Sequence, residues 1–225
     1  MFPLTKKLFK VIFIMTFSLI GFDPDIEMIG TAVSSKWTGV GGTVQYFRHH
    51  VGLVNIQNCS YAKTAYDILD GLEAGQDVAE ATERAMALDK KAVIRQAIVC
   101  DLKGNMHVYA GEKCSRPYIQ KIGENCAAAG NTLASTKVVD AMLSAFEEDQ
   151  TLSLTHRLLK ALEAGQEAGG DKRGQEAAAI KSYKLEYPVQ RFWPIDLRVD
   201  SHDRPLEELR RLFDIFDANE RRVHF

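Results

Sequence analysis

Polar Thr16 and Ser18 alternate with apolar Phe17 and Leu19, the period of two that predicts a strand from Thr16 to Phe22. Asp23, Pro24 and Asp25 then predict a turn, because proline presets φ and aspartates cap turns. A second strand from Met28 to Ser35 completes a hairpin. The glycine-rich run from Gly39 to Gly42 breaks it, and Val51 to Gln57 is again a β run. The period then changes. From Ala62 to Glu73, residues Ala65, Ile68, Leu69 and Leu72 share one helical face, with Gly75 as a stop. A further helix is predicted from Ala79 to Leu88. Ala92 to Asp101 and Met106 to Ala110 read as a hairpin turning at Lys103, Gly104 and Asn105.

Glu124 to Ala129 predicts a short strand of small residues. Two helices follow, Thr136 to Glu148 and Ser153 to Ala164, the second stopped by Gly165. A glycine-rich loop from Gly169 to Gly174 leads into a strand at Ala177 to Ile180. Ile195 to Asp200 reads as another strand, and Leu206 to Phe216 as an amphipathic last helix. Strands and helices come in groups rather than in alternation. That order predicts a layered α+β domain with antiparallel sheet. With no linker and no internal repeat, residues 16–225 form one domain, preceded by an extension or leader at residues 1–15.

Composition narrows the function classes. The 225 residues carry a formal net charge of −2, and the basic residues are scattered apart from Lys6, Lys7 and Lys10, so neither nucleic acid nor an anionic membrane is an expected partner. No apolar run reaches the ~18–20 residues of a membrane span. The lysines before Val11 to Phe22 resemble a signal peptide, but no small-residue cleavage site follows. Leader and strand both remain readings of that segment. Cys59, Cys100, Cys114 and Cys126 form no C-x-x-C pair, and the six histidines are dispersed, so zinc is not expected. Cys100 lies in an apolar run, where a buried free thiol is the commoner outcome than a disulfide. A reducing, cytoplasmic compartment follows, with export through the leader as the alternative.

Several motifs carry a resemblance. Thr16 to Ile20 (TFSLI) with Asp23-Pro24, Ala32 to Lys36 (AVSSK) and Gly52 to Gln57 (GLVNIQ) come first. Gly130 to Leu133 (GNTL), Gly169 to Gly174 (GGDKRG) and Leu197 to His202 (LRVDSH) continue it. In this order they resemble the domain-of-unknown-function family numbered 1028, related to the N-terminal-nucleophile (Ntn) hydrolases. The resemblance implies a four-layer α-β-β-α sandwich of antiparallel sheets whose members begin at the threonine matching Thr16. The chain departs from the pattern in three places. Residues 1–15 precede the threonine; Glu176 and Ala177 stand where the family carries glutamine and serine; and the segment from Cys114 to Gly123 lacks a tryptophan and a histidine.

An N-terminal threonine holds a nucleophile and a base on one residue. Its α-amine titrates near ~7.7–8, close to working pH. Thr16 becomes such a residue if translation starts at Met15 or if the leader is cut; otherwise its nitrogen is an amide. Lys36, at the end of the second strand, would lower the amine's pKa, or is a solvated strand-end lysine. Asn131 would stabilise an oxyanion, or is a turn residue tolerating positive φ. Asp171 and Arg173 would orient the amine or bind a substrate carboxylate, or hold their loop as an ion pair. Gln57 enters the same pocket or merely ends its strand. Ser18 and Ser35 relay protons or satisfy backbone groups. His202, just before the last helix, reads as a cap and not as a base. The expected catalytic set is Thr16, Lys36 and Asn131, with Gln57, Asp171 and Arg173 binding substrate and no cofactor or metal. The function expected is hydrolysis of a small amide by a chain that assembles with further copies of itself. The alternative is a non-catalytic binding or assembly module of the same fold.

Overall fold

The structure is a computed structural model that describes residues 16–185 and 195–223. The expected extension at residues 1–15 lies outside the described residues. In chain order the strands and helices are β1 (Thr16–Asp23), β2 (Met28–Ser35), β3 (Gln45–Arg48), β4 (Gly52–Gln57), α1 (Ala62–Glu73), α2 (Val78–Leu88), β5 (Gln96–Asp101) and β6 (Met106–Ala110). There follow β7 (Ile119–Gly123), β8 (Cys126–Gly130), α3 (Lys137–Glu147), α4 (Leu154–Glu167), β9 (Ala177–Lys184), β10 (Ile195–Val199) and α5 (Pro205–Val223).

These strands form two antiparallel sheets, one of six strands in the order β10-β9-β2-β1-β8-β7 and one of four in the order β3-β4-β5-β6. The mixed α+β class is as expected. The first hairpin pairs Thr16 with Ser35 and runs in register to Asp23 with Met28. Its turn is held by Asp23 Oδ1, which accepts from the Asp25 N–H at 3.2 Å.

Alternation along each strand divides the side chains between two environments. From β1, Phe17 and Leu19 join a core with Val139, Met142 and Phe146 of α3, Leu158 and Leu162 of α4, and Leu209 and Phe213 of α5. On the other face, Ile20, Phe22 and Ile29 share a second core with Leu53, Ile98 and Cys100 of the four-stranded sheet. That sheet's remaining face, with Val54, Ile56 and Val99, packs on Ala65, Ile68 and Leu69 of α1 and Ala81 and Ala85 of α2. Every residue of β1 from Thr16 to Phe22 is therefore buried, polar ones included.

Two glycines let the helices approach. Gly21 and Gly30 are cross-strand partners. A Cβ on Gly21 would lie 2.6 Å from the Phe146 ring, and one on Gly30 would lie 2.7 Å from Leu158 Cδ1 and 2.9 Å from the Lys181 carbonyl. The bare strip admits Phe146 and Leu158 down to the backbone of the hairpin.

Some elements differ from the sequence expectation. Strands β3 and β7 were not expected; their side chains are mostly only half-buried or exposed, so they lack the apolar alternation that marks a strand. Ala92–Ile94 is a 3-10 turn rather than the start of a strand. Gly165 does not end α4. The helix continues to Glu167 and stops at Gly169 and Gly170, whose φ values of 113° and 50° no L residue adopts readily. Gly165 instead lies against α3, where a Cβ would come within 2.7 Å of Met142 Cγ.

Candidate active site

Thr16 lies at the start of the central strand β1, fully buried, between two neighbouring strands. On one side its hydroxyl donates to Ser35 Oγ of β2 at 3.3 Å. On the other, its carbonyl accepts the Asn131 backbone N–H at 3.0 Å, just past the end of β8. Thr16, Ser35 and Asn131, from two strands and the residue just after a third, thus lie side by side at one end of the six-stranded sheet.

A row of buried polar groups runs from that point. Ser18 Oγ, two residues along β1, donates to Gln57 Oε1 at 2.7 Å. Gln57 Nε2 donates to Gln96 Oε1 at 2.8 Å, and Asn131 Nδ2 reaches the same oxygen at 3.1 Å. Gln96 Nε2 in turn donates to the carbonyls of Ile119 and Gly130, at 3.1 and 3.2 Å. In the other direction, Asn55 Nδ2 donates to Ser18 Oγ at 3.2 Å and to Thr31 Oγ1 at 2.9 Å. All of these side chains are nearly or wholly buried, and mutual hydrogen bonding is what makes a buried amide row tolerable. Gln57 therefore ends its strand inside the protein, linked to both sheets. Gln96, Asn55 and Thr31 were not expected at the site.

Asn131 does not serve as the left-handed turn residue. That conformation belongs to its neighbour Thr132, at φ 52°. Its backbone N–H is used on Thr16, and one amide hydrogen on Gln96.

The charged candidates sit at the rim. Lys36 follows Ser35, and its ammonium lies 3.1 Å from Glu176 Oε2 and 3.0 Å from the Gln175 carbonyl. Glu176 Oε1 accepts from the Ser201 hydroxyl. Those two donors, the serine first and the ammonium second, hold the Glu176 carboxyl below its ordinary pKa. The Lys36 cation, half-exposed, is thus engaged by a carboxylate from the far end of the chain.

Asp171 is buried, with its side chain 1% exposed. Its Oδ1 accepts from Arg173 N at 2.9 Å and Arg173 Nε at 3.1 Å; its Oδ2 accepts from Arg173 Nη2 at 2.7 Å and Lys36 N at 3.4 Å. One carboxylate therefore ties the glycine-rich loop to the end of β2. His202 caps: its Nδ1 accepts from Arg204 N at 3.0 Å, just before α5.

The buried Cys114 and Cys126 thiols are poor nucleophiles. All four cysteines are free, and burial pushes the Cys114 thiol up to about 11 and that of Cys126 up to about 12, while the thiolate is the reactive form. Among the described residues no group of three histidine, cysteine or acidic side chains could hold a metal ion, and no helix is long and apolar enough to cross a membrane.

Comparison with known proteins adds the family. The model described as "Family of unknown function (DUF1028)" matches residues 16–209. The chain belongs to this family. A solved DUF1028 protein, SPO2555 from Silicibacter pomeroyi, is 28% identical and superposes with a TM-score of 0.81 over 89% of this chain and 85% of its own. Anbu, an ancestral beta-subunit from Yersinia bercovieri, is 10% identical, with a TM-score of 0.35 over 91% of this chain and 95% of its own; likeness at that level carries no argument. No curated protein sequence matches the chain. The DUF1028 match spans all six expected site residues, Thr16, Lys36, Gln57, Asn131, Asp171 and Arg173.

Proposed function

We propose that this protein is an N-terminal-threonine amidohydrolase of an α-β-β-α sandwich fold, cleaving a small amide or peptide-like substrate once Thr16 is the first residue. The observation that carries the reading is the position of Thr16. Its hydroxyl lies on the central strand, bonded to Ser35, beside Asn131 and at the head of a buried polar row. Support for the layering comes from α3–α5 packing on one sheet, α1 and α2 on the other, and a shared core between the sheets.

In the proposed cycle the Thr16 α-amine takes the hydroxyl proton while Oγ1 bonds to the substrate carbonyl carbon. The C–N bond then breaks, and the proton passes from the amine to the leaving nitrogen. Water, deprotonated by the same amine, attacks the threonyl ester; the acid departs and Oγ1 recovers its proton. Lys36 would favour the neutral amine through its charge, to the extent that Glu176 leaves that charge unbalanced.

The test is turnover of a panel of small amides by protein verified to start at Thr16, with Thr16→Ala and Thr16→Ser alongside. Hydrolysis retained in part by serine and lost with alanine supports the proposal. A second reading, a binding or assembly module without chemistry, draws on the Lys36–Glu176 ion pair, which occupies the cation the cycle would use. No hydrolysis across the panel by a Thr16-started chain favours that second reading.

A further inference from the structure

Asn131 is expected at the site as a donor to developing negative charge, but its surroundings also leave its amide oxygen as an open acceptor. Gln96 decides this. Its Nε2 faces the carbonyl oxygens of Ile119 and Gly130, at 3.1 and 3.2 Å, and backbone carbonyls only accept. The Gln96 amide is therefore fixed with Oε1 on the other side. That oxygen faces Gln57 Nε2 at 2.8 Å and Asn131 Nδ2 at 3.1 Å. Asn131 must present its NH2 there, since two facing oxygens would repel. Its carbonyl oxygen consequently faces away from Gln96. It is buried and finds no hydrogen-bond partner among the described residues.

A wholly buried side chain with an unused acceptor is uncommon in a folded protein. The residue that carries it is the strand neighbour of Thr16, whose carbonyl accepts the Asn131 backbone N–H at 3.0 Å. We infer that Asn131 Oδ1 is an acceptor subsite for an N–H donor arriving beside Thr16, and that Gln96 is the positioning residue that sets its polarity. The donor has one chemistry and two available sources: the α-ammonium of a Thr16-started chain, or an N–H of the bound amide.

The experiment uses chain verified to start at Thr16, with Asn131→Leu, Gln96→Leu and the double variant. One arm titrates the Thr16 α-amine by NMR. If the amine is the donor, removing a neutral acceptor from its charged form lowers its pKa by about one unit. The other arm compares an amide with the ester of the same acyl group. If the ligand N–H is the donor, Asn131→Leu lowers the ratio of amide to ester turnover about tenfold or more, because the ester has no N–H to lose its acceptor. Either shift supports the inference and names the source. Because Gln96 acts through Asn131, Gln96→Leu should move the same quantity in the same direction and add little in the double variant; full additivity overturns its positioning role. Folded Asn131→Leu with both quantities unchanged overturns the subsite. Should the variants not fold, neutron diffraction of the unsubstituted protein decides: Nδ2 toward Gln96 supports the inference, and Oδ1 toward Gln96 overturns it. The amide–ester arm rests on the hydrolase reading. The amine titration and the diffraction do not, so a protein without turnover fails that reading and leaves this one open to its own result.

Discussion

The Lys36 ammonium is bound by the carboxylate of Glu176, 140 residues further along the chain, at 3.1 Å. The pair joins the end of β2 to the start of β9 at the rim of the site. Glu176→Gln removes the counter-charge and leaves Lys36 as an unbalanced cation. The expected result is a lower pH midpoint for reaction at a free Thr16 amine, by up to about one unit at low salt and by less as salt is added. Reaction rate against pH at two salt concentrations measures it. The Glu176 pKa is depressed, so the pair's contribution to stability is present above the ordinary carboxylate value of about 4.5 and is lost as pH falls below it through the folded value. Because the pair is partly exposed, melting curves of Glu176→Gln and the parent should nearly coincide at pH 7.

Asp171 is the opposite case, a buried carboxylate with donors on both oxygens. Asp171→Asn points an NH2 at groups that themselves donate, so we expect a loss of about 1–3 kcal/mol in denaturant unfolding. Hydrogen exchange should rise in the 169–174 loop and at Lys36, whose N–H loses its acceptor. An unchanged unfolding midpoint with loss of ligand binding would make Asp171 a substrate contact instead of the tie that holds the loop.

Gly21 tests how the helices reach the sheet. A methyl group there would lie 2.6 Å from two atoms of the Phe146 ring, which is itself fully buried. Gly21→Ala should cost about 1–3 kcal/mol through overpacking, read from the unfolding midpoint at constant slope. A neutral result would mean that Phe146 can move without cost and that the close approach is incidental.

The fold was legible wherever one physical signal dominated. The hairpin of β1 and β2 follows from alternation plus the Asp23–Pro24 turn, and α1 from Ala65, Ile68 and Leu69 on one face. Strands β3 and β7 gave no such signal, being short and poorly buried. The polar row was illegible for a different reason. Asn55 and Gln57 alternate with Val54 and Ile56, a pattern that normally marks a solvated face; here that face meets a second sheet. Gln96 is a single glutamine at the start of an apolar run, and nothing nearby in sequence indicates that it joins Gln57 to Asn131. The Lys36–Glu176 pair likewise depends on two strands that come together only in the folded sheet. Thr16 and the glycine-aspartate loop stood out in the sequence through the order of motifs shared with the family, since a threonine is an ordinary strand residue by its chemistry alone.

The central claim is that Thr16 acts as a nucleophile once its nitrogen is an amine. The most direct measurement is the intact mass of two purified proteins, one starting at Thr16 and one retaining residues 1–15, after treatment with a β-lactone. Attack by Oγ1 opens the lactone ring and adds its whole mass. We expect one adduct, mapped to the Thr16 peptide, on the shorter protein, and none on the longer protein or on Thr16→Ala, all three remaining folded. A Thr16-started protein that stays unmodified, or an adduct of equal yield on the chain that retains residues 1–15, would contradict the account.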